Sequence, residues 1–215
     1  MRIALDTSPD AARSGSKGAD GRHARSQRSR RAIARAMLEL VRKTQRIPAI
    51  DDVAQHAGMS RRTVFRHYED LNALNAAVIA LQQSDIEERF PLPARITGPL
   101  DARIAQCVAY ITSLYAFIDP VRRVAISLRG NNPAVAAAIR RDQERLRDIF
   151  RCAFDPEFKR LDDNALVEML AGLEVMASWH AWNCLTVGNG LPVETAKKII
   201  ARGITGLLKA GSPPD

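Results

Sequence analysis

Aromatic residues are scarce in this chain, at 5% of 215 residues, and that limits the core it can build. Strands favour β-branched and aromatic side chains, so a β-sandwich is disfavoured and packed aliphatic helices are expected. Cysteine is sparse as well. Cys107, Cys152 and Cys184 are odd in number and far apart. They offer no disulfide framework and no CxxC pair, which makes a reducing cytoplasm the expected setting. No apolar run reaches the ~18 residues a membrane span needs, and the first residues lack the apolar segment of a secretory signal. A cytoplasmic protein with no membrane partner is the expectation. Also missing are a Gly-rich phosphate loop, a carboxylate pair and a metal-ligand cluster. His180 and Cys184 are four apart, but no third ligand lies near them in sequence and nothing orients a base toward a nucleophile. No catalytic residue, metal or cofactor is therefore expected, and a DNA-targeted enzyme ranks last among the functions considered.

What is present is positive charge, unevenly placed. The net charge is +8. Residues 1–70 hold 15 Lys and Arg against 8 Asp and Glu, whereas residues 71–215 hold 17 against 16. Nearly all the excess sits in the first third, which suggests a polyanion contact at that end.

Along the chain, residues 1–28 are rich in Ser, Gly, Asp, Arg and Ala with almost no apolar periodicity, and read as a disordered basic arm. From Ser29 the pattern turns helical. Ile33, Met37, Leu40 and Val41 recur at helical spacing, predicting a first helix over 29–44. Pro48 marks a break. Ile50, Val53, Ala54 and Ala57 share one face of a short second helix that Gly58 ends. Ser60 is placed to cap a third helix over 61–68. A longer helix runs from Leu71 to about Arg89. Further helices are predicted at about 99–117, 120–129, 134–154, 162–186 and 192–209, with Pro120, Pro133 and Pro192 in first turns. The fold class is all-α, with about nine helices. A DNA-binding domain over 29–75 precedes a helical domain over 76–210.

Two short helices joined by a glycine turn within 19 residues form a helix-turn-helix signature. Such a motif needs a second helix with an apolar back and a polar front that enters the major groove. Val64 and Tyr68 supply the back. Arg61, Arg62, Thr63, Arg66 and His67 supply the front, with Ser60 and Phe65 beside them. Arginine can pair two-pronged with guanine or with phosphate, and Thr63 can meet a thymine methyl or a phosphate.

The segment IDDVAQHAGMSRRTVFRHYEDLNAL resembles the N-terminal domain of the tetracycline-repressor (TetR) family. The matching elements are Asp52-Val53-Ala54, Ala57-Gly58-Met59-Ser60, Thr63-Val64-Phe65 and His67-Tyr68, followed by a helix containing Leu74. The resemblance covers about residues 30–80. It implies a three-helix DNA-binding head, a variable helical domain for ligand binding and dimerisation, a double-stranded DNA operator and a homodimer. The expected function is thus a transcription regulator, a repressor released from its operator by a small-molecule effector. The alternative is a DNA-binding protein whose C-terminal domain takes a protein partner instead. Some family features are absent. Ala49 stands where a capping Ser or Thr is common, Leu71 where a Lys usually opens the fourth helix, and Phe65 where a Tyr is frequent. Arg62 replaces a small residue, and no Gly follows the first helix around Thr44-Gln45. Arg62 and the basic arm are expected to compensate for the lost phosphate contacts.

In the C-terminal two-thirds, the resemblance implies that the last two helices pair with their copies. Leu173, Ala177, Ile200, Gly203 and Leu207 are the expected interface residues, with Gly203 and Gly206 allowing close helix approach. Met176, Trp179 and Asn183 share a face of the penultimate helix and, with Tyr110, are the candidates for lining an effector pocket.

Overall fold

The computed structural model describes residues 14–130 and 132–211, with side chains from residue 21 onward. Among the described residues the structure contains nine α-helices, one π turn and no strand. The described residues form two compact units, divided between Leu81 and Gln82 within the fourth helix.

In the first unit, α1 spans Ser14–Thr44, α2 Ile50–His56, α3 Arg61–His67, and α4, which runs on into the second unit, Leu71–Arg89. The expected arm is corrected over residues 14–28, which are helical and continue α1 without a break. Residues 21–25 of that extension are exposed. Its sequence carries no apolar periodicity, so pattern could not reveal it, and it extends by propagation from a packed helix. The rest of the arm, residues 1–13, lies outside the described residues. Ile33, Leu38, Val53, Val64 and Leu74 are the large, fully buried side chains of this unit. Tyr68 is buried too, and its hydroxyl donates to the Arg30 carbonyl at 2.8 Å. The α1 Arg30 guanidinium lies 4.7 Å over the Tyr68 ring.

In the second unit, α5 (Leu100–Leu128) packs against α6 (Pro133–Phe158), α8 (Trp179–Asn183) and α9 (Val193–Ala210), and α7 (Asp163–Met176) packs on α6 and α9. Two expected helices, 99–117 and 120–129, are one. Pro120 lies inside α5, and the buried face of Ile111, Tyr115, Ile118 and Arg122 runs straight past it. Packing on both sides outweighs the lost backbone bond. The opposite happens in the expected helix 162–186, which breaks after Met176. Ala177 leaves helical geometry, and the Ser178 side chain accepts from the Ala181 amide to start α8. A π turn over Cys184–Gly188 follows.

By length and composition α5 is apolar enough to cross a membrane, but it carries buried Arg103 and Arg122. Arg103 is held by the Gly98 carbonyl at 3.0 Å, the Ala153 carbonyl at 2.5 Å and both Glu157 oxygens at 2.5 and 2.7 Å. This fork-to-fork pair ties α5 to the end of α6.

Candidate nucleic-acid interface and effector cavity

The turn before α3 explains how its side chains are aimed. Gly58 takes φ +65°. The Met59 amide donates to Ala54 O at 2.9 Å and the Gly58 amide to Gln55 O at 3.1 Å. This is a Schellman end, and it needs the left-handed residue that glycine supplies cheaply. The chain then reverses into Ser60, whose Oγ accepts from the Thr63 amide at 3.2 Å and lies 3.0 Å from the Thr63 hydroxyl. Ala49, at the corresponding place before α2, makes no side-chain cap.

With α3 held this way, Val64 is buried. Arg61, Arg62, Phe65 and Arg66 are exposed, and Thr63 and His67 half-buried. Six of the seven residues expected to meet DNA thus lie on one short helix, and the seventh, Ser60, caps it and is joined to Thr63. Arg61 is braced by Asp51 at 3.0 Å and lies 5.7 Å from the Phe65 ring centre. An exposed pair of this kind contributes at most about 1 kcal/mol, so Arg61 can exchange Asp51 for a phosphate at small cost. Phe65 is 44% exposed, an unusual placement for an aromatic ring in a small unit. Burial, then the nearby Arg66 and Arg30 cations, lower the His67 pKa below its ordinary value, so its ring is neutral at neutral pH.

The second unit contains a cavity of about 70 Å³. Ile86, Ile111, Leu114, Ile118, Leu146 and Trp179 form much of its wall, and Arg122, Asp142 and Arg145 its polar part. Arg122 donates to Asp142 at 2.6 Å, and the Gln83 amide reaches the other Asp142 oxygen at 3.3 Å. Burial pushes the Asp142 carboxyl up, and the Arg122 charge opposes that rise.

Of the four residues expected to line a pocket, the structure brings only Trp179 to this cavity. Tyr110 turns to the Phe90 carbonyl at 2.8 Å and receives a hydrogen bond from Arg145 at 2.7 Å. Asn183 accepts from Arg123 at 2.7 Å. Met176 lies in the α7–α9 contact, so close that a Cβ at Gly203 would be 2.1 Å from its Cε. These three side chains are engaged elsewhere, Tyr110 at Phe90, Asn183 at Arg123 and Met176 at Gly203. Sequence reasoning missed Arg122, Asp142 and Arg145. Arg122 was findable, because it continues the apolar face of Ile111, Tyr115 and Ile118 at helical spacing; nothing in the sequence singles out Arg145.

The expected interface residues make their contacts within their own chain. Leu173, Ala177 and Ile200 are fully buried in the core of their own chain. Gly203 meets Met176 of the same chain, and Leu207 lies 3.2 Å from where a Cβ on Gly172 would stand. Close approach at Gly203 is therefore between α7 and α9 of one chain. Open to solvent on α7 are instead Val167 at 68%, Ala171, and Val175 at 73%.

Among the described residues every element is helical, and the first unit carries a capped helix-turn-helix. In the solved structures the chain's fold matches a tetR-family transcriptional regulator from Streptomyces coelicolor. The TM-score is 0.64 at 18% identity, over 88% of this chain and 91% of that one. No protein-family model matches the chain, and no curated protein does.

Proposed function

We propose that the protein is a TetR-family transcription regulator that binds double-stranded DNA with α3 as its recognition helix. The observation that carries this reading is the two-sided character of α3: Val64 buried behind, and Arg61, Arg62 and Arg66 exposed in front, on a helix capped by Ser60. A major-groove helix needs that division. Ser60 and Thr63 act at the phosphates, and Arg62 and Arg66 read base edges. Phe65 packs against the sugar-phosphate backbone, and His67 completes the front. The protein works in the cytoplasm without enzymatic activity, as a repressor whose operator affinity falls when a small effector enters the second unit.

It acts as a homodimer, because a two-fold operator requires two recognition helices. The dimer face is the open side of α7, where Val167, Ala171 and Val175 recur at i, i+4 and i+8. Such an exposed apolar stripe is costly unless covered.

Selecting bound fragments from the source genome and footprinting them tests the reading. The expected result is a short palindromic site protected on successive major-groove faces, about one helical turn between half-site centres. Uniform protection of any sequence would replace regulation with nonspecific DNA coating.

A further inference from the structure

The cavity in the second unit has a donor surplus, and that surplus identifies a ligand class. Its buried acceptors are already engaged. Asp142 receives Arg122 and Gln83, and both Glu174 oxygens receive Arg147. The Tyr115 hydroxyl donates to Ala177 O at 2.6 Å, the Trp179 indole to Asp119 at 3.2 Å, and the Ser178 hydroxyl to Val175 O at 3.0 Å. Two donors are left over. Nε of Arg122 and Nε of Arg145 are buried with no hydrogen-bond acceptor, and both side chains line the cavity. The Arg122 side chain is only 9% exposed.

Charge points the same way. Arg122 has Asp142 as its counterion, and Glu174 has Arg147. Arg145 is bonded only to the Phe90 carbonyl and the Tyr110 hydroxyl, both neutral. Arg122 and Arg145 thus share the field of one carboxylate, Asp142, and leaving buried donors and charge incompletely compensated is costly.

We infer that the cavity binds a small organic acid, its ionised carboxylate received by Arg145 and Arg122 and its apolar body held by Ile111, Leu114, Ile118 and Trp179. A carboxylate supplies the missing acceptors and a further negative charge in one group. An inorganic anion would leave the apolar wall unmatched. A cationic ligand would meet carboxylates that are already paired, beside two arginines. The volume sets a size limit: about 70 Å³ holds roughly five waters by the same measure. That suits a benzoate or a short branched acid rather than a long-chain one. This inference rests on the effector role proposed for the second unit and names its chemistry.

The test is a thermal-shift and calorimetric titration of the full chain without DNA, using millimolar benzoate, 3-methylbutanoate, benzamide, benzylamine and inorganic phosphate. Binding only to N stabilises the fold in proportion to ligand occupancy. The expected result is that at least one of the two acids raises the melting temperature, and that benzoate exceeds benzamide by about tenfold or more in affinity, the scale of a charge-assisted hydrogen bond. Arg145→Met, with its helicity checked by circular dichroism, should lose the preference for acid over amide. If that variant does not fold, the wild-type comparison of benzoate with benzamide decides alone. Equal binding of acid and amide, preference for the amine, phosphate binding as well as the acids do, or no binding of either acid would each overturn the inference. Operator binding is measured separately, so a protein that binds DNA but no acid loses this inference and keeps its proposed function. One that binds acid but no DNA does the reverse.

Discussion

Gln45 closes α1 at φ +53°, donating its amide to Val41 O at 2.8 Å. A left-handed residue at a helix end is normally glycine, and a side chain there costs about 1–2 kcal/mol. Gln45 thus holds a conformation that a glycine takes more cheaply. Gln45→Gly should therefore raise stability by up to about 1 kcal/mol, partly offset by the greater freedom of the unfolded chain. A chemical denaturation midpoint checks it, and a lowered midpoint would mean the turn carries no strain. Arg103 is the other informative single residue. It holds Glu157 well below the usual carboxylate range through their hydrogen bonds. A depressed carboxylate adds stability that is present above its unfolded value and lost as pH falls through the folded one. Arg103→Met should cost roughly 3 kcal/mol at neutral pH, because Glu157 is left largely buried without its partner. The loss should shrink in acid, where Glu157 is neutral, and melting curves across the acid range read this out.

At the scale of elements, helices were legible wherever a buried stripe and a cap agreed. The short pair α2 and α3 was readable because Gly58 and Ser60 each do one chemical job at a known position. The remaining boundaries moved where packing overrode a local signal. The sequence pattern puts Pro120 in a first turn, yet α5 runs through it because its buried face continues. Ser178 was passed over as helix interior, yet it caps α8. That break sets the direction of α8, which carries Trp179 to the cavity and Asn183 to Arg123. The glycines of α9 show the same contrast. Gly203 abuts Met176, whereas nothing lies within 4 Å of a Cβ at Gly206. Gly203→Val should destabilise the fold by about 1–3 kcal/mol through overpacking. Gly206→Ala should stabilise it by up to about 1 kcal/mol through helix propensity. Thermal melts of the two variants moving in the same direction would show that α7 and α9 do not meet as described.

For the whole molecule, the sequence conveyed the helical class and the place of the helix-turn-helix, because such a motif is a local device whose spacing survives in one dimension. The cavity and the outer face of α7 were not legible, since each depends on residues from several elements or on which of two apolar faces packs inward. The dimer prediction changes accordingly. Val175→Glu, on the open side of α7, should shift the protein toward monomers in sedimentation without unfolding it, whereas Leu173→Glu should unfold it, because Leu173 is fully buried. A Val175→Glu protein that remains fully dimeric would move the interface to another surface.

The central claim is that α3 reads DNA, and the most direct measurement is a fluorescence anisotropy titration of the selected operator at one fixed salt concentration. It compares wild type with the Arg61→Ala, Arg62→Ala, Arg66→Ala triple variant. All three side chains are exposed, so circular dichroism should show an unchanged fold. With each contact contributing about 1 kcal/mol or more, the variant should bind at least ~100-fold more weakly. A folded triple variant that binds the operator as tightly as wild type would contradict the claim.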